Sequence, residues 1–403
     1  MKRRVVITAM GAVTSLGRSP KDIAEGIRKG RVSFQPSQTE PRVAVAPITG
    51  FDIRKHTGRH KNFRYLNRGA SLAVAAAVDT VRNAGLLAEQ LATSGLFVGS
   101  GPNLDLGGEC ARIDSGKMAP DELSALWILR FLPNTATSTI SQLTGIRGEN
   151  LTIGNACAAS MQALGEGFRK IKHGDLDLAV AGGGDSRLSQ GALLAYQKAQ
   201  ALYRGDGEPH AASRPFDKSR QGFVPGEGGA FFVLESADHA HGRGAAVLAE
   251  ICGYGASMDG HAMTAPQPSG RWAEKAVRQA MGEAGMTPEQ IDMISAHGTG
   301  TPLNDKVEAA MIERVFKGST PMVLALKSWI GHLASACGAV ELAICLNALQ
   351  TGIWPQIRNL DVPCHPGLNY LRRQTEAAPR GILLQNFGFG GQNAALVVRT
   401  CRR

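Results

Sequence analysis

Four short stretches of this 403-residue chain set reactive side chains directly after segments that read as buried β-strands. "LTIGNAC" ends on Cys157, "IDMISAHGTGT" carries His297, "MVLALKSWIGH" carries Lys327 and His332, and "ILLQNFGFGG" runs through Phe387 and Phe389 to Gly391. In open α/β sheets ligands gather beyond the carboxyl ends of the strands, so the four segments are expected to form one site. Cys157 leads into a helix-forming run. A thiol in a first helical turn feels the positive end of the dipole, which favours the thiolate. Its neighbours Ala156, Ala158 and Ala159 leave room for a ligand beside the sulfur. The competing reading is packing, because free cysteine is among the most buried residue types.

The histidines narrow the chemistry. A Cys/His pair alone suits a cysteine hydrolase. One thiol with two histidines suits a different task, in which the sulfur carries an acyl group and two imidazole N–H donors hold a developing enolate oxygen. Lys327, five residues before His332, could order the two histidines, with Glu341 as one candidate intermediary, and "NFGFGG" offers backbone N–H groups for an oxyanion hole. Competing signatures are missing: there is no G-x-x-x-x-G-K-[ST], no G-x-G-x-x-G after the first strand, no H-E-x-x-H and no G-x-S-x-G.

Strand and helix signals alternate along the chain, which implies an α/β architecture with largely buried sheets. "VVIT" reads as a first buried strand and "DLAVAGGGDS" as another. "SLAVAAAVDTVRNAGL" reads as a helix closed by Gly85, and "RWAEKAVRQAMGEAG" as one closed by Gly285. Thr287, Pro288 and Gln290 spell a helix start with a capping box. The polar, glycine-rich stretch near 237–245 is the best boundary between two halves, 1–245 and 246–403.

Seven scattered cysteines without a C-x-x-C pair argue against a disulfide framework and a zinc site, and fit a reducing cytoplasm. The basic, apolar start is broken by Thr8, Gly11, Thr14 and Ser15, so it does not read as a signal peptide. No apolar run approaches the ~20 residues of a membrane span. A net charge of +10 favours an acidic partner, and the densest basic stretch, residues 53–68, includes Arg59 and Lys61. It has few interleaved aromatics and no nucleic-acid-binding signature.

The ordered set "NACAAS", "RPFDKSRQGFVPGEGGAFFVLE", "AHGTGTPLND", "KSWIGHLASACGAVE" and "NFGFGGQNAALVV" resembles the elongating β-ketoacyl–acyl-carrier-protein synthases of the thiolase superfamily, over essentially the whole chain. The resemblance implies a five-layered αβαβα thiolase fold built from two similar halves, usually a homodimer, with a heterodimer as the alternative. It implies that Cys157 accepts the acyl chain, and that His297 and His332 polarise the malonyl thioester. Lys327 and Glu341 would support the site, and Asp305 and Glu308 would stand behind His297. The N–H groups of Cys157 and Phe389 would form the oxyanion hole. Phe389 would also gate the site beside Phe387, and Thr299 and Thr301 would meet the phosphopantetheine arm. Arg59, Lys61 and Arg204 would dock acyl carrier protein. No metal or other cofactor is implied, and no nucleic acid or membrane.

The chain departs from the housekeeping pattern in segment 101–133, which includes Trp127 and Arg130, at Gly300 in "HGTGT" and at Gln392. These departures favour a specialised polyketide, polyene or unusual-lipid ketosynthase as the alternative to fatty-acid elongation. A non-catalytic chain-length subunit would lack the nucleophile, and a degradative thiolase would carry a second cysteine where this chain has "NFGFGG".

Overall fold

The structure, a computed structural model, describes residues 3–104, 113–114, 117–118 and 125–401. Much of the unusual 101–133 segment therefore lies outside the described residues, while Trp127–Arg130 forms a short 3-10 helix.

Runs rich in valine, isoleucine, leucine and alanine, without polar alternation, form strands buried on both faces. The exception is Asn150–Ile153 before Cys157, expected as a buried strand, which lies at the edge of the sheet and is exposed or half-buried along its length. In chain order the main strands are β1 (Val5–Val13), β2 (Gly95–Gly99), β3 (Asn150–Ile153), β4 (Leu178–Ser186), β5 (Glu227–Ser236), β6 (Ala249–Met258), β7 (Met293–Ser295), β8 (Met322–Leu324), β9 (Gly381–Gly388) and β10 (Gln392–Arg399). They make one 10-stranded sheet in the order β8-β7-β9-β10-β6-β1-β5-β4-β2-β3.

The order repeats about its centre. In the first half β1 is antiparallel to β5 and β5 to β4, whereas β4, β2 and β3 run parallel. The second half repeats this with β6, β10, β9, β7 and β8. The halves meet where β1 pairs with β6, from Val5 opposite Ile251 to Ile7 opposite Ala249.

Six helices complete the layers: α1 (Arg68–Ala84), α2 (Thr135–Thr144), α3 (Ala159–His173), α4 (Arg271–Ala284), α5 (Pro302–Val315) and α6 (Cys337–Thr351). Helix α1 covers β1, β5 and β4 with α2 beside it, while α4 covers β6 and β10 with α5 beside it. Helices α3 and α6 lie between the half-sheets, touching strands of both. This is the expected five-layered αβαβα arrangement. The period of two along each strand divides the core accordingly: Phe231 and Val233 of β5 join α1, whereas Phe232 and Leu234 face the central helices.

Among the described residues, one helical stretch, Ala334–Thr351, is long and apolar enough to cross a bilayer, and 83% of it is buried inside the protein as the central helix. The helices ending at Gly85 and Gly285 close as expected, each glycine having positive φ. Thr287 and Gln290 do form a capping box, but it starts a single 3-10 turn, Pro288–Gln290, before the chain enters β7. The apolar run after it is consumed by the sheet.

Helix α4 lies hard against β6. A Cβ on Gly255 would stand 2.0 Å from the carbonyl oxygen of Ala276 and 2.8 Å from the nitrogen of Ala280. Backbone atoms cannot swing aside, so Gly255→Ala should destabilise the fold by about 1–3 kcal/mol. Urea unfolding checks this, and an unchanged midpoint would contradict the packing described.

Candidate active site

Cys157 sits on a tight turn between β3 and α3. Ala156, immediately before it, has φ of 46°, and a 3-10 turn spans Ala156–Ala158 before the helix proper begins. Alanine carries the smallest side chain that can be held in this sparsely populated region. The helix start can approach the sheet because Gly99 and Gly183 lie beneath it. A Cβ on Gly99 would stand 2.4 Å from the nitrogen of Ser160, and one on Gly183 would stand 2.8 Å from the Ser160 Cβ. The second half repeats the turn after β8: Ala334 has φ of 44°, a 3-10 turn spans Ala334–Ala336, and α6 follows.

All four segments do converge. One ring nitrogen of His297, one of His332 and Sγ of Cys157 lie within 4.8 Å of one another, all three residues buried. Lys327 Nζ donates to Glu341 Oε1 and to the backbone oxygen of His297, both at 2.6 Å, and stands 3.2 Å from His297 Nδ1. Asn386 Nδ2 lies 3.2 Å from the same Nδ1 and donates to Glu341 Oε2 at 2.8 Å. Two donors facing Nδ1 make it the acceptor, so the proton of His297 sits on Nε2. His332 reaches the same tautomer by another route, since its Nδ1 accepts the N–H of Ala334 at 3.0 Å. Both histidines therefore offer an Nε2–H to a ligand.

The electrostatics agree with this assignment. Burial, and then the Lys327 charge, hold both imidazoles well below the ordinary histidine value, so they stay neutral. Burial works against the Lys327 ammonium, but Glu341 at 2.6 Å keeps it protonated. A metal ion among the three ligand atoms would face that ammonium, so the site favours an incoming oxygen with developing negative charge.

The thiol differs from the expectation of a dipole-stabilised thiolate. Burial pushes the Cys157 thiol up to about 11, outweighing Lys327 and a hydrogen bond from the backbone N–H of Phe389. The helix proper starts two residues later, at Ala159, and the sulfur has lost water without gaining a partnered cation. Gly388 keeps the neighbouring space open, as its Cβ would stand 3.1 Å from the Cys157 nitrogen.

A cavity of about 540 Å³ opens onto these groups, lined also by Thr299, Thr301, Asn304, Phe387, Phe389 and Met263. Phe389 is 36% exposed at its mouth. Its loop is held by Gly390 N–H to Met263 O at 2.7 Å, with Gly390 and Gly391 at φ 87° and 81°, where glycine is needed. Phe387 packs edge-on to His297 at 5.8 Å between ring centres.

The acidic residues behind His297 hold backbone. Glu308 accepts the N–H groups of His297 and Gly298 at 2.6 and 2.8 Å. Asp305 accepts those of Thr299 and Phe216 at 3.1 and 2.7 Å. Thr299 and Thr301 share a hydroxyl contact of 2.9 Å on the cavity wall.

Residues 2–240 match the family described as "Beta-ketoacyl synthase, N-terminal domain", and residues 248–361 match "Beta-ketoacyl synthase, C-terminal domain". The chain belongs to the β-ketoacyl synthase family. It is 33% identical to 3-oxoacyl-[acyl-carrier-protein] synthase 2 of Vibrio cholerae serotype O1 over 99% of both chains. The mitochondrial 3-oxoacyl-[acyl-carrier-protein] synthase of Arabidopsis thaliana is 32% identical over 98% of this chain and 93% of that one. Among solved structures, the ishigamide ketosynthase/chain length factor is 30% identical, covers 100% of each chain and superposes with a TM-score of 0.89. A β-ketoacyl synthase from Burkholderia phymatum gives the same three figures.

Within this β-ketoacyl synthase fold, the proposed docking residues stand apart from the cavity. Arg59 and Lys61 are exposed and share a surface depression with Arg54 and Arg64. Arg204 is exposed on the loop after Leu202, outside that depression. Arg54 and Arg68 of the basic stretch are already paired, with Asp52 and Glu227.

Sequence reasoning missed Asn386, which orients His297, and Gln385, which donates to Glu308 at 2.7 Å. It also missed Phe223, stacked 4.6 Å from His332, and the buried Asp185–Arg187 pair. The signal was present in "ILLQNFG", where two amides interrupt an otherwise apolar strand.

The buried thiol predicts its own reactivity. Iodoacetamide labelling at Cys157, followed by peptide mass spectrometry, should accelerate about tenfold per pH unit and keep rising past pH 9 towards about 11. A plateau below pH 8 would mean a standing thiolate.

Proposed function

We propose that the protein catalyses decarboxylating Claisen condensation between an acyl thioester on Cys157 and malonyl–acyl-carrier protein, giving a β-ketoacyl–acyl-carrier protein. The observation that carries this reading is the meeting of one thiol with two neutral histidines whose Nε2–H groups are both unspent. Relatives named 3-oxoacyl-[acyl-carrier-protein] synthase support the same chemistry.

In the first half-reaction Cys157 Sγ attacks the carrier-bound thioester. Its carbon–sulfur bond breaks, and the thiol proton leaves with the pantetheine sulfur. The oxyanion forms beside the N–H groups of Cys157 and Phe389, which stabilise it. Malonyl carrier then loses CO2, and the enolate oxygen accepts from Nε2–H of His297 and His332. The enolate carbon attacks the Cys157 thioester, the acyl–sulfur bond breaks, and the released Cys157 thiolate takes up a proton from solvent, the one proton the overall reaction consumes. In this reading Thr299 and Thr301, on the cavity wall, receive the pantetheine arm, and Phe389, at its mouth, gates access. The substrate brings its own phosphopantetheine, and the scheme calls for no other cofactor.

A partner subunit is part of the proposal. Among the described residues strand β3 is an outer edge of the sheet, with Leu151 40% exposed, and Leu126, Ile128 and Leu132 are 60%, 51% and 40% exposed. Such an apolar edge suits burial against a like or related copy. Free, scattered cysteines suit work in the cytoplasm. Elongation in fatty-acid synthesis is the primary reading. A specialised polyketide or lipid ketosynthase is the second, favoured by the likeness to the ishigamide ketosynthase/chain length factor.

Intact-mass measurement after incubation with an acyl carrier protein panel should show an acyl adduct that Cys157→Ala abolishes. His297→Ala and His332→Ala should still acylate, yet lose malonyl decarboxylation by about 10²-fold or more. No adduct on the wild-type chain would sink the proposal. Docking is read separately, through the Arg59→Glu/Lys61→Glu and Arg204→Glu variants. Both should raise KM for acyl carrier protein with little change in kcat, and wild-type KM should climb with salt. Indifference to salt and to both variants would remove these residues from the docking surface.

A further inference from the structure

Five ring contacts join six side chains around the cavity that holds Cys157. Phe387 meets His297 at 5.8 Å between ring centres, and His297 meets His332 at 5.7 Å. His332 meets Phe223 at 4.6 Å, Phe223 meets Tyr196 at 5.1 Å, and Tyr196 meets Phe389 at 6.4 Å. All six line the cavity that Cys157 lines. The arc starts and ends on one turn, since only Gly388 separates Phe387 from Phe389. The proposed reaction uses the two imidazoles and Phe389. It gives no task to Tyr196.

The last two rings of the arc are held very differently. Tyr196 lies on a short helix, Gln190–Lys198, and packs against a buried cluster that includes Val43, Val45, Leu193, Leu202 and Phe223. Phe223 in turn is 4% exposed and backed by His332. Phe389, by contrast, is 36% exposed and flanked by Gly388 and Gly390. Backbone bonds hold its loop, from Gly390 N–H to Met263 O and from Asp259 N–H to Gly391 O, but they leave the side-chain torsions free. Among the described residues Tyr196 is the one ring that Phe389 meets.

The planes of Tyr196 and Phe389 cross at 66°, an edge-to-face arrangement. Such a pair favours the seated ring over the unseated one by about two- to tenfold. Burial raises the Tyr196 phenol well above its ordinary value, so the ring stays uncharged across the working pH range. A fixed, neutral ring beside a movable one is a rest for that movable ring.

We infer that Tyr196 is a positioning residue that seats the Phe389 ring across the cavity mouth and thereby limits the size of group that reaches Cys157. The inference rests on the condensing-enzyme reading, which makes Phe389 a gate for acyl chains. The seat itself is tested without substrate, so the two can fail separately. The full chain is treated with iodoacetamide and, in parallel, with the bulkier N-benzylmaleimide. Modification of Cys157 is timed by peptide mass spectrometry. Both reagents react with the thiolate, so the ratio of the bulky rate to the small one cancels any change in thiol acidity.

Tyr196→Leu should raise that ratio about threefold or more, whereas Tyr196→Phe, which keeps the ring, should match the wild type. In a Phe389→Ala chain the Tyr196→Leu change should add nothing, because the ring it acts through is gone. A tyrosine that merely fills space would raise the ratio as much in Phe389→Ala as in the wild type, and that result overturns the inference. A ratio unmoved by Tyr196→Leu, or raised equally by Tyr196→Phe, overturns it too. Should Tyr196→Leu fail to fold, as judged by urea unfolding, Tyr196→Met takes its place with the same expectations, since methionine fills irregular gaps without a ring. If the alkylation results hold while no acyl carrier thioester acylates the wild-type chain, the condensing reading fails and the seat stands.

Discussion

A lysine and a glutamate, each 1% exposed and 2.6 Å apart, hold this site together. Two charges removed from water are tolerable only when paired and further hydrogen-bonded, and here every contact they make is also a positioning contact. Lys327 follows β8, Glu341 lies in the central helix α6, His297 follows β7 and Asn386 belongs to β9. Because Lys327 reaches both the carbonyl and the ring of His297, the pair fixes the loop and the tautomer together. Asn386 then ties the middle strand of the half-sheet to both. Loss of either charge would leave the other stranded in a water-free interior, which is why four separate segments are bound to one geometry.

The same interior explains why the nucleophile rests as a thiol. Burial disfavours any standing charge, so it raises the cysteine and lowers the histidines alike. What the site supplies are fixed donors: two imidazole N–H groups and the backbone N–H groups about Cys157. Fixed dipoles contribute most when charge appears on an oxygen during the reaction, and they need not reorganise to do so. The environment is therefore matched to transient oxyanions rather than to a permanent thiolate.

Much of this was legible in the chain. Buried strands announced themselves through unbroken apolar runs, and helix ends through glycines such as Gly85 and Gly285. The post-strand position of Cys157, His297, His332 and Phe389 located the site. The protonation of Cys157 was misjudged, because dipole arguments see the helix start and burial depends on the whole fold. The two amides that interrupt "ILLQNFG" mark a buried polar contact, but the sequence does not say that Asn386 faces His297. Ser335 is an ordinary serine in sequence. Only the repeat of the alanine turn, Ala156 and Ala334, shows that it occupies in the second half the place that Cys157 holds in the first.

The strand order carries a consequence for how a chain of this kind is made. Strands β9 and β10 are the last of the ten to leave the ribosome, yet both are internal in the sheet, between β7 and β6. Until they insert, the second half-sheet stays split, and neither Asn386 nor the Phe389 N–H exists at the site. A nascent chain therefore carries its cysteine long before it carries the means to use it. Acyl transfer thus waits on the last two strands of the sheet.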